Sequence, residues 1–352
     1  MPSVNSTNTA LMAEGTAGQA KIPCGVVVTR SCMALFATGF NAWSQLSLGR
    51  NPGYDEPDDL FSFTKVLEAQ RIERPVAGLS WTLGALRRDG VVCMAGVGLG
   101  DVDDYEASHT FAEAANGEIL GIQDDNIPVP GEEGGSEAQK VLAKYASRSA
   151  IRTENRQRSW RCESPVRTVA AFDAGFVILY QDGTVATLGD ARFEDCLGRD
   201  ITDDSPADEP GIVPDLANLG EPIKHVSAGG YALAALAESG GIYLWGMSPS
   251  GAQRRQQPFS TLCGVPNYVE VDDGKDVQDM ALGDSHAIAL TTDGSVYVIG
   301  DNSSGQIGLG KTAREQVQSW TEVSFDAPDG HEIVAVAAGP RSSFILTSPV
   351  QA

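Results

Sequence analysis

Positive charge, histidine and long apolar runs are what this 352-residue chain has little of. Its 25 Lys and Arg face 47 Asp and Glu, a formal net charge of −22. Such a body repels phosphates, which disfavours nucleic acid and makes a basic protein surface the natural long-range partner. No apolar stretch approaches the ~18 residues a membrane helix needs, so no membrane partner is expected. The six cysteines (Cys24, Cys32, Cys93, Cys162, Cys196, Cys263) are scattered, with no CxxC pair and no tight Cys/His cluster. That spacing argues against a structural zinc site and gives a secreted disulfide framework no support. The first 20 residues lack a basic stretch followed by an apolar core, and they contain no Arg. They read as a flexible tail rather than an export or mitochondrial signal, and cytoplasm or nucleus follows by elimination. GxSxG, HExxH and the phosphate-cradling GxxxxGK[ST] are all absent. No catalytic residue, cofactor or metal is therefore expected, and the chain reads as a non-enzyme.

Glycine is abundant instead, at 39 residues, and the stretch 283–310 organises the rest. From His286 to Leu290 the residues alternate as in a half-buried strand. Asp293-Gly294 is a hairpin signal, because the tight turn needs a positive φ that Gly adopts without a steric penalty. Val296, Val298 and Ile299 form the return strand, and Gly300 to Gly308 close the unit with a compact loop.

The unit recurs. In the stretch 39–49, Gly39, Asn41 and Gln45 fall where 300–310 has Gly300, Asn302 and Gln306, while Ser44 replaces Gly305. Gly229, Gly240, Gly246 and Gly251 repeat the spacing of Gly283, Gly294, Gly300 and Gly305. Gly183 and Gly90 likewise stand six residues before Gly189 and Gly96. The stretch 109–122, with Gly117 at its turn, reads as a degenerate copy that has lost the final glycine. The start of the repeat region supplies only the second half of a unit and the last stretch, 333–346, only the first. Radially repeated four-stranded sheets close in this way. The expected fold is all-β: one closed β-propeller over 21–352, with one blade completed by both ends of the chain. Strand-ending glycines at 39, 96, 189, 246 and 300 leave one long gap. Six blades result if that gap holds two, seven if it holds three.

The consensus G-x-x-H-x(7)-G-x(5)-G-x-N-x-x-G-Q-[LI]-G resembles the repeat of the regulator of chromosome condensation (RCC1) propellers. The match is close over 283–310, covers the second half of the unit at 39–49, and is weak through 97–165. The resemblance implies a protein-interaction scaffold or regulator. In its founding member it implies a guanine-nucleotide exchange factor for a Ran-like small GTPase. In the fungal alpha-tubulin-suppressor-like branch it implies a partner of a small metal-binding protein in diphthamide and tRNA modification. The repeat residues (Gly39, Asn41, Gln45, Gly283, His286, Gly294, Gly300, Asn302, Gly305, Gln306) are expected to build the fold, with a His286 ring nitrogen bonded to a neighbouring loop.

Function is expected where the chain departs from the repeat. Residues 97–135 hold ten acidic residues, including Asp101, Asp103 and Asp104, and no Lys or Arg. A second acidic cluster, 194–209, includes Asp200, Asp203 and Asp204. Together they could make an electronegative rim for a basic protein. Between them, 137–161 is basic, with Lys140, Lys144, Arg148, Arg152 and Arg156 at every fourth position. On a helix these five would span a broad basic face. An irregular charged insertion is expected around 123–164, and three readings of the basic segment stand open: solvated or partly disordered between blades, folded back on the acidic body, or a partner-binding element using Arg148, Arg152, Arg156 and Trp160. Trp43 and Trp160 are the candidate exposed anchors, and the chain is expected to be monomeric by itself.

Overall fold

The structure, a computed structural model, describes residues 32–48, 57–85, 92–98, 111–125, 139–248, 259 and 262–350. Strands β1 (Met33–Gly39) and β2 (Leu60–Ala69) come first. Blade II follows as β3 (Val76–Ala77), β4 (Trp81–Ala85) and β5 (Val92–Gly96). Blade III is β6 (Phe111–Glu113), β7 (Ile119–Asp125), β8 (Gln139–Tyr145) and β9 (Arg158–Arg161). Blade IV is β10 (Val166–Phe172), β11 (Gly175–Tyr180), β12 (Val185–Gly189) and β13 (Gly211–Ile212). Blade V is β14 (Ile223–Gly229), β15 (Ala232–Ala237), β16 (Ile242–Gly246) and β17 (Asn267–Val269). Blade VI is β18 (Val277–Leu282), β19 (His286–Thr291), β20 (Val296–Asp301) and β21 (Gln316–Glu322). Last come β22 (His331–Gly339) and β23 (Ser342–Pro349), which join β1 and β2 in one antiparallel sheet ordered β22-β23-β1-β2, blade I. Among the described residues there are thus six sheets, not seven.

First strands touch in series, β6 to β10 to β14 to β18 to β22 to β3. Arg148 of blade III sits over the Trp81 ring and reaches the Gly98 carbonyl, both of blade II. The architecture is a six-bladed β-propeller.

Burial follows from this stacking. Second strands β11, β15 and β19 are covered on both faces by neighbouring blades, so they read as continuous apolar runs (FVIL, ALAALA, AIAL) rather than alternating ones. Outer strands β2 and β21 keep mixed, exposed patterns. The core lies between sheets: Phe172, Val177 and Leu179 of blade IV pack with Leu233, Ala235 and Trp245 of blade V, and equivalent layers join V to VI and VI to I. Four first strands carry a bulge at one register position, between Val166 and Thr168, Ile223 and His225, Val277 and Asp279, and Ile333 and Ala335. A bulge re-aims the side chain that follows it, a point that matters on the propeller axis.

Blade III corrects several expectations. The irregular insertion around 123–164 is, over its described residues, regular structure: β7, β8, β9 and the one-turn helix α1 (Arg148–Arg152). Lys140 and Lys144 lie on β8, opposite Asp124 and Leu120, so the broad basic helical face does not form. Positions four apart share a strand face as well as a helix face, because four is also a multiple of the strand period of two. The hairpin at Gly117 joins the first two strands of its sheet, whereas Gly294 joins the second and third. The degenerate copy at 109–122 is therefore displaced by one strand, and residues 101–110 lie outside the described residues.

Candidate partner-binding face

The repeat's strand-ending glycine defines one face of the propeller. The residue after it donates its backbone N–H to a carbonyl in the turn between the first two strands. Phe40 bonds Arg341 (2.9 Å), Val97 Ser80 (2.8 Å), Asp190 Ala174 (2.9 Å), Met247 Tyr231 (3.1 Å) and Asp301 Ser285 (2.9 Å). First-to-second strand turns and third-strand exits therefore share one face. A Cβ at Gly39, Gly96, Gly246 or Gly300 would overlap the same carbonyl oxygen, and all four have positive φ.

Loops that leave this device are wired internally. Asn41 Oδ1 accepts from Leu46 N and Asn302 Oδ1 from Ile307 N. Gln45 Oε1 accepts from Trp43 N and Gln306 Oε1 from Ser304 N. All four amides are buried. His286 Nε2 lies 3.2 Å from the Ser342 carbonyl and 3.0 Å from Ser343 Oγ, stapling blade VI to blade I. Burial holds its imidazole down at about 4, so it is neutral at neutral pH. These repeat side chains are thus engaged with the fold's own backbone, hydroxyls and, at Gln306, the Asp301 carboxylate.

Carboxylates gather where blade IV departs from the repeat. An open depression of about 590 Å³ is lined by Asp190, Ile201, Thr202, Asp203, Pro206 and Asp208. The loop that forms it is held by Arg199, which is buried and donates to the carbonyls of Thr187, Ser205, Pro206 and Glu209 and to Ser205 Oγ. Helix α2 (Glu194–Leu197) precedes it, closed by Gly198 in the left-handed region. Because Arg199 is spent on carbonyls, it does not neutralise the carboxylates around it. Asp200, Asp203 and Asp204 are all exposed.

Two further acids stand in the central turns of this face. Asp173 N bonds the Gly230 carbonyl, and Asp284 N bonds that of Pro340. The Asp284 carboxyl, exposed at its outer edge but ringed by protein in this concavity, is pushed up to about 6, first by this partial loss of water and then by Asp173, with Arg341 opposing. Burial likewise raises Asp173. A carboxyl whose folded value lies above its ordinary 3.8 costs stability once ionised. That cost is present above pH 6 and disappears as pH falls towards 4. Asp284→Asn is expected to raise Tm at pH 8, on the order of 1–2 °C, and to leave it unchanged at pH 4. A lower Tm at pH 8 would show that the carboxylate is a stabilising partner.

The basic segment folds back on the acidic body. Lys144 pairs with Glu118 (2.9 Å), Arg148 with Glu113, and Arg158 bridges Asp208 (2.7 Å) and Glu209 (3.1 Å) of blade IV. Arg152 is exposed and Arg156 half-buried. Trp160 is not an exposed anchor: it is half-buried against the layer of Leu120, Leu142 and Phe176. Trp43 does stand exposed, edge-on to Phe40. Asp101, Asp103 and Asp104 lie outside the described residues.

Sequence reasoning missed a polar plug on the axis. Arg74, just before β3, makes a bidentate pair with Asp279 (2.7 and 2.6 Å) and donates to His225 Nε2 (3.1 Å). Asp279 also accepts from Val336 N on β22 (2.9 Å). His225 and Asp279 occupy the same post-bulge position in blades V and VI. Burial, with Arg74 adding, holds His225 down at about 4, so the ring is neutral and accepts from the guanidinium. The network ties together blades V, VI and I and the entry to blade II.

Among the described residues no helix is long and apolar enough to cross a membrane. Comparison with known proteins matches the family described as "Regulator of chromosome condensation (RCC1) repeat" at residues 277–306 and 293–346. The mouse regulator of chromosome condensation is 35% identical over 178 residues, half of this chain and 37% of its own length. The human E3 ubiquitin-protein ligase HERC2 is 34% identical over 122 residues, 34% of this chain and 2% of its own. The chain thus spans well under half the length of either relative, and the same repeats occur in proteins named as a regulator and as a ligase. Among solved structures, that of Prp20p from Saccharomyces cerevisiae, described with its binding properties to Gsp1p and histones, superposes with a TM-score of 0.61. It covers 91% of this chain and 92% of its own at 15% identity, a likeness of fold. The chain is a six-bladed β-propeller that carries RCC1 repeats.

Proposed function

We propose that the protein is a non-enzymatic interaction platform whose carboxylate-rich loop face takes a basic protein partner. The observation that carries this is the exposed Asp200, Asp203 and Asp204 beside one open depression, which Asp190 and Asp208, paired with Arg192 and Arg158, also line, with Asp173 and Asp284 on the same face. A face of one sign on a rigid scaffold speeds and orients association with a surface of the other sign. Histones, named with Prp20p, are partners of that chemistry. Purified core histone dimer titrated into the protein at low and at near-physiological salt is expected to bind more weakly at the higher salt. Asp203→Lys with Asp208→Lys is expected to weaken it at least tenfold at low salt. Unchanged affinity in that variant would sink the reading.

A second reading is nucleotide exchange on a Ran-like GTPase, favoured by the similarity to the regulators over half of this chain. Accelerated release of labelled GDP from such a GTPase, catalytic in the propeller, is the outcome that would support it. An unchanged release rate would remove it.

A further inference from the structure

Three large apolar residues, Trp43 (41%), Leu79 (44%) and Val97 (51%), are exposed on the loop face. Gln45 brings their backbones together. Its Nε2 donates to the carbonyls of Leu79 (3.1 Å) and Phe40 (2.8 Å), and its Oε1 accepts from Trp43 N. Val97 N in turn bonds the carbonyl of Ser80, next to Leu79, and Ser80 Oγ bonds the Val97 carbonyl. Blades I and II thus contribute one apolar patch held on a buried amide. Other exposed apolar residues, such as Ile212 and Tyr268, lie on the outermost strands of their sheets. Single exposed apolar residues are ordinary; a contiguous group rimmed by charge marks an interaction site.

The rim says what kind of partner fits. Phe40, edge-on to Trp43, carries the Arg341 guanidinium over its ring at 5.9 Å. Arg341 and Asp173 both act on the carboxyl of Asp284, the next turn around the axis, from opposite sides of the charge balance. Beyond Asp173 the Tyr231–Phe193 stack leads to the Arg192–Asp190 pair and the carboxylate-lined depression. The face therefore runs from an apolar end to an acidic end without leaving the loop surface.

We infer that Trp43, Leu79 and Val97 are the anchor site for an aromatic or large aliphatic side chain of a partner polypeptide whose adjacent Lys or Arg residues lie over Asp284, Asp173 and the blade IV carboxylates. The inference rests on the proposed reading of the acidic face and adds the residue that gives affinity rather than steering. Charges bring the segment in and set its direction, while burial of the anchor slows its departure.

The test uses two fluorescein-labelled peptides, Trp-Gly-Lys-Lys-Lys-Lys and its Ala-Gly-Lys-Lys-Lys-Lys control, with fluorescence anisotropy on the full chain. The Trp peptide is expected to bind about tenfold tighter than the control. Trp43→Ser with Leu79→Ser, and separately Leu79→Asn, should abolish that advantage while leaving the salt-dependent binding of the control unchanged. Near-UV circular dichroism and Tm establish that each variant is folded. Asp203→Lys with Asp208→Lys should weaken both peptides and preserve the ratio between them. A Trp advantage that survives in the folded Trp43→Ser/Leu79→Ser protein overturns the anchor site alone. Peptide binding that ignores salt and the acidic residues overturns the reading of the acidic face alone. No binding of either peptide overturns both.

Discussion

Asp279→Ala is expected to lower the unfolding free energy by about 3 kcal/mol, read by urea denaturation with far-UV circular dichroism. Removing one partner of a buried ion pair costs about 3–5 kcal/mol, because the other charge is left uncompensated. The lower end applies because Arg74 keeps 38% of its side chain exposed while Asp279 keeps 9%. Three donors lose their acceptor at once: the guanidinium, Met280 N and Val336 N. Val336 sits on β22 and Asp279 on β18, so the loss falls on the seam between blades VI and I. Asp279→Asn should cost less, since one oxygen still accepts but the bidentate pair is gone. Combining Arg74→Met with Asp279→Leu should cost less than the sum of the single changes, as coupled partners do. Strict additivity in that cycle would show that the pair contributes nothing to the fold.

Gly300→Ala should cost more than about 3 kcal/mol, and Gly294→Ala only about 1–2 kcal/mol. Both glycines have positive φ, +117° at Gly300 and +87° at Gly294, so both substitutions meet the same conformational penalty. The surroundings differ. A Cβ at Gly294 meets nothing within 4 Å. At Gly300 it would overlap the Ser285 carbonyl oxygen and lie 2.6 Å from His286 Cα, atoms of backbone that cannot rotate away. Relief requires the turn to open, which breaks the Asp301–Ser285 hydrogen bond and disturbs the buried His286. Chemical denaturation of the two variants side by side measures the steric part as their difference. Equal losses would mean that the strand-ending glycine is needed only for its φ.

The fold was legible wherever the repeat's residues make local bonds. Asn302 and Gln306 bond partners close by in the same loop, and Gly300 meets a turn of its own sheet, so spacing alone carries the geometry. Blade III was illegible for the same reason. Its third strand ends on Tyr145 instead of a glycine, and its four-residue charge spacing suits a strand as well as a helix. The candidate site was half legible. Charge placed the acidic cluster of 194–209, while the depression depends on Arg199 gathering carbonyls from 187 to 209, which composition does not announce.

By itself, the sequence determined that the chain is an all-β propeller carrying RCC1 repeats and where the glycines, amides and histidine of those repeats fall. Their contacts are within a repeat or between successive blades, so their partners lie at constant offsets. Tertiary structure alone decided the number of sheets, the axial Arg74–His225–Asp279 network and the patch of Trp43, Leu79 and Val97. Arg74 meets partners 151 and 205 positions away, and no local preference can encode a distance that closing the ring creates. The chain's poverty in positive charge acquires its meaning there too. Lys144, Arg148 and Arg158 of blade III are spent on neighbouring carboxylates, Asp208 of the loop face among them, and the exposed Asp200, Asp203 and Asp204 are what the face offers a partner.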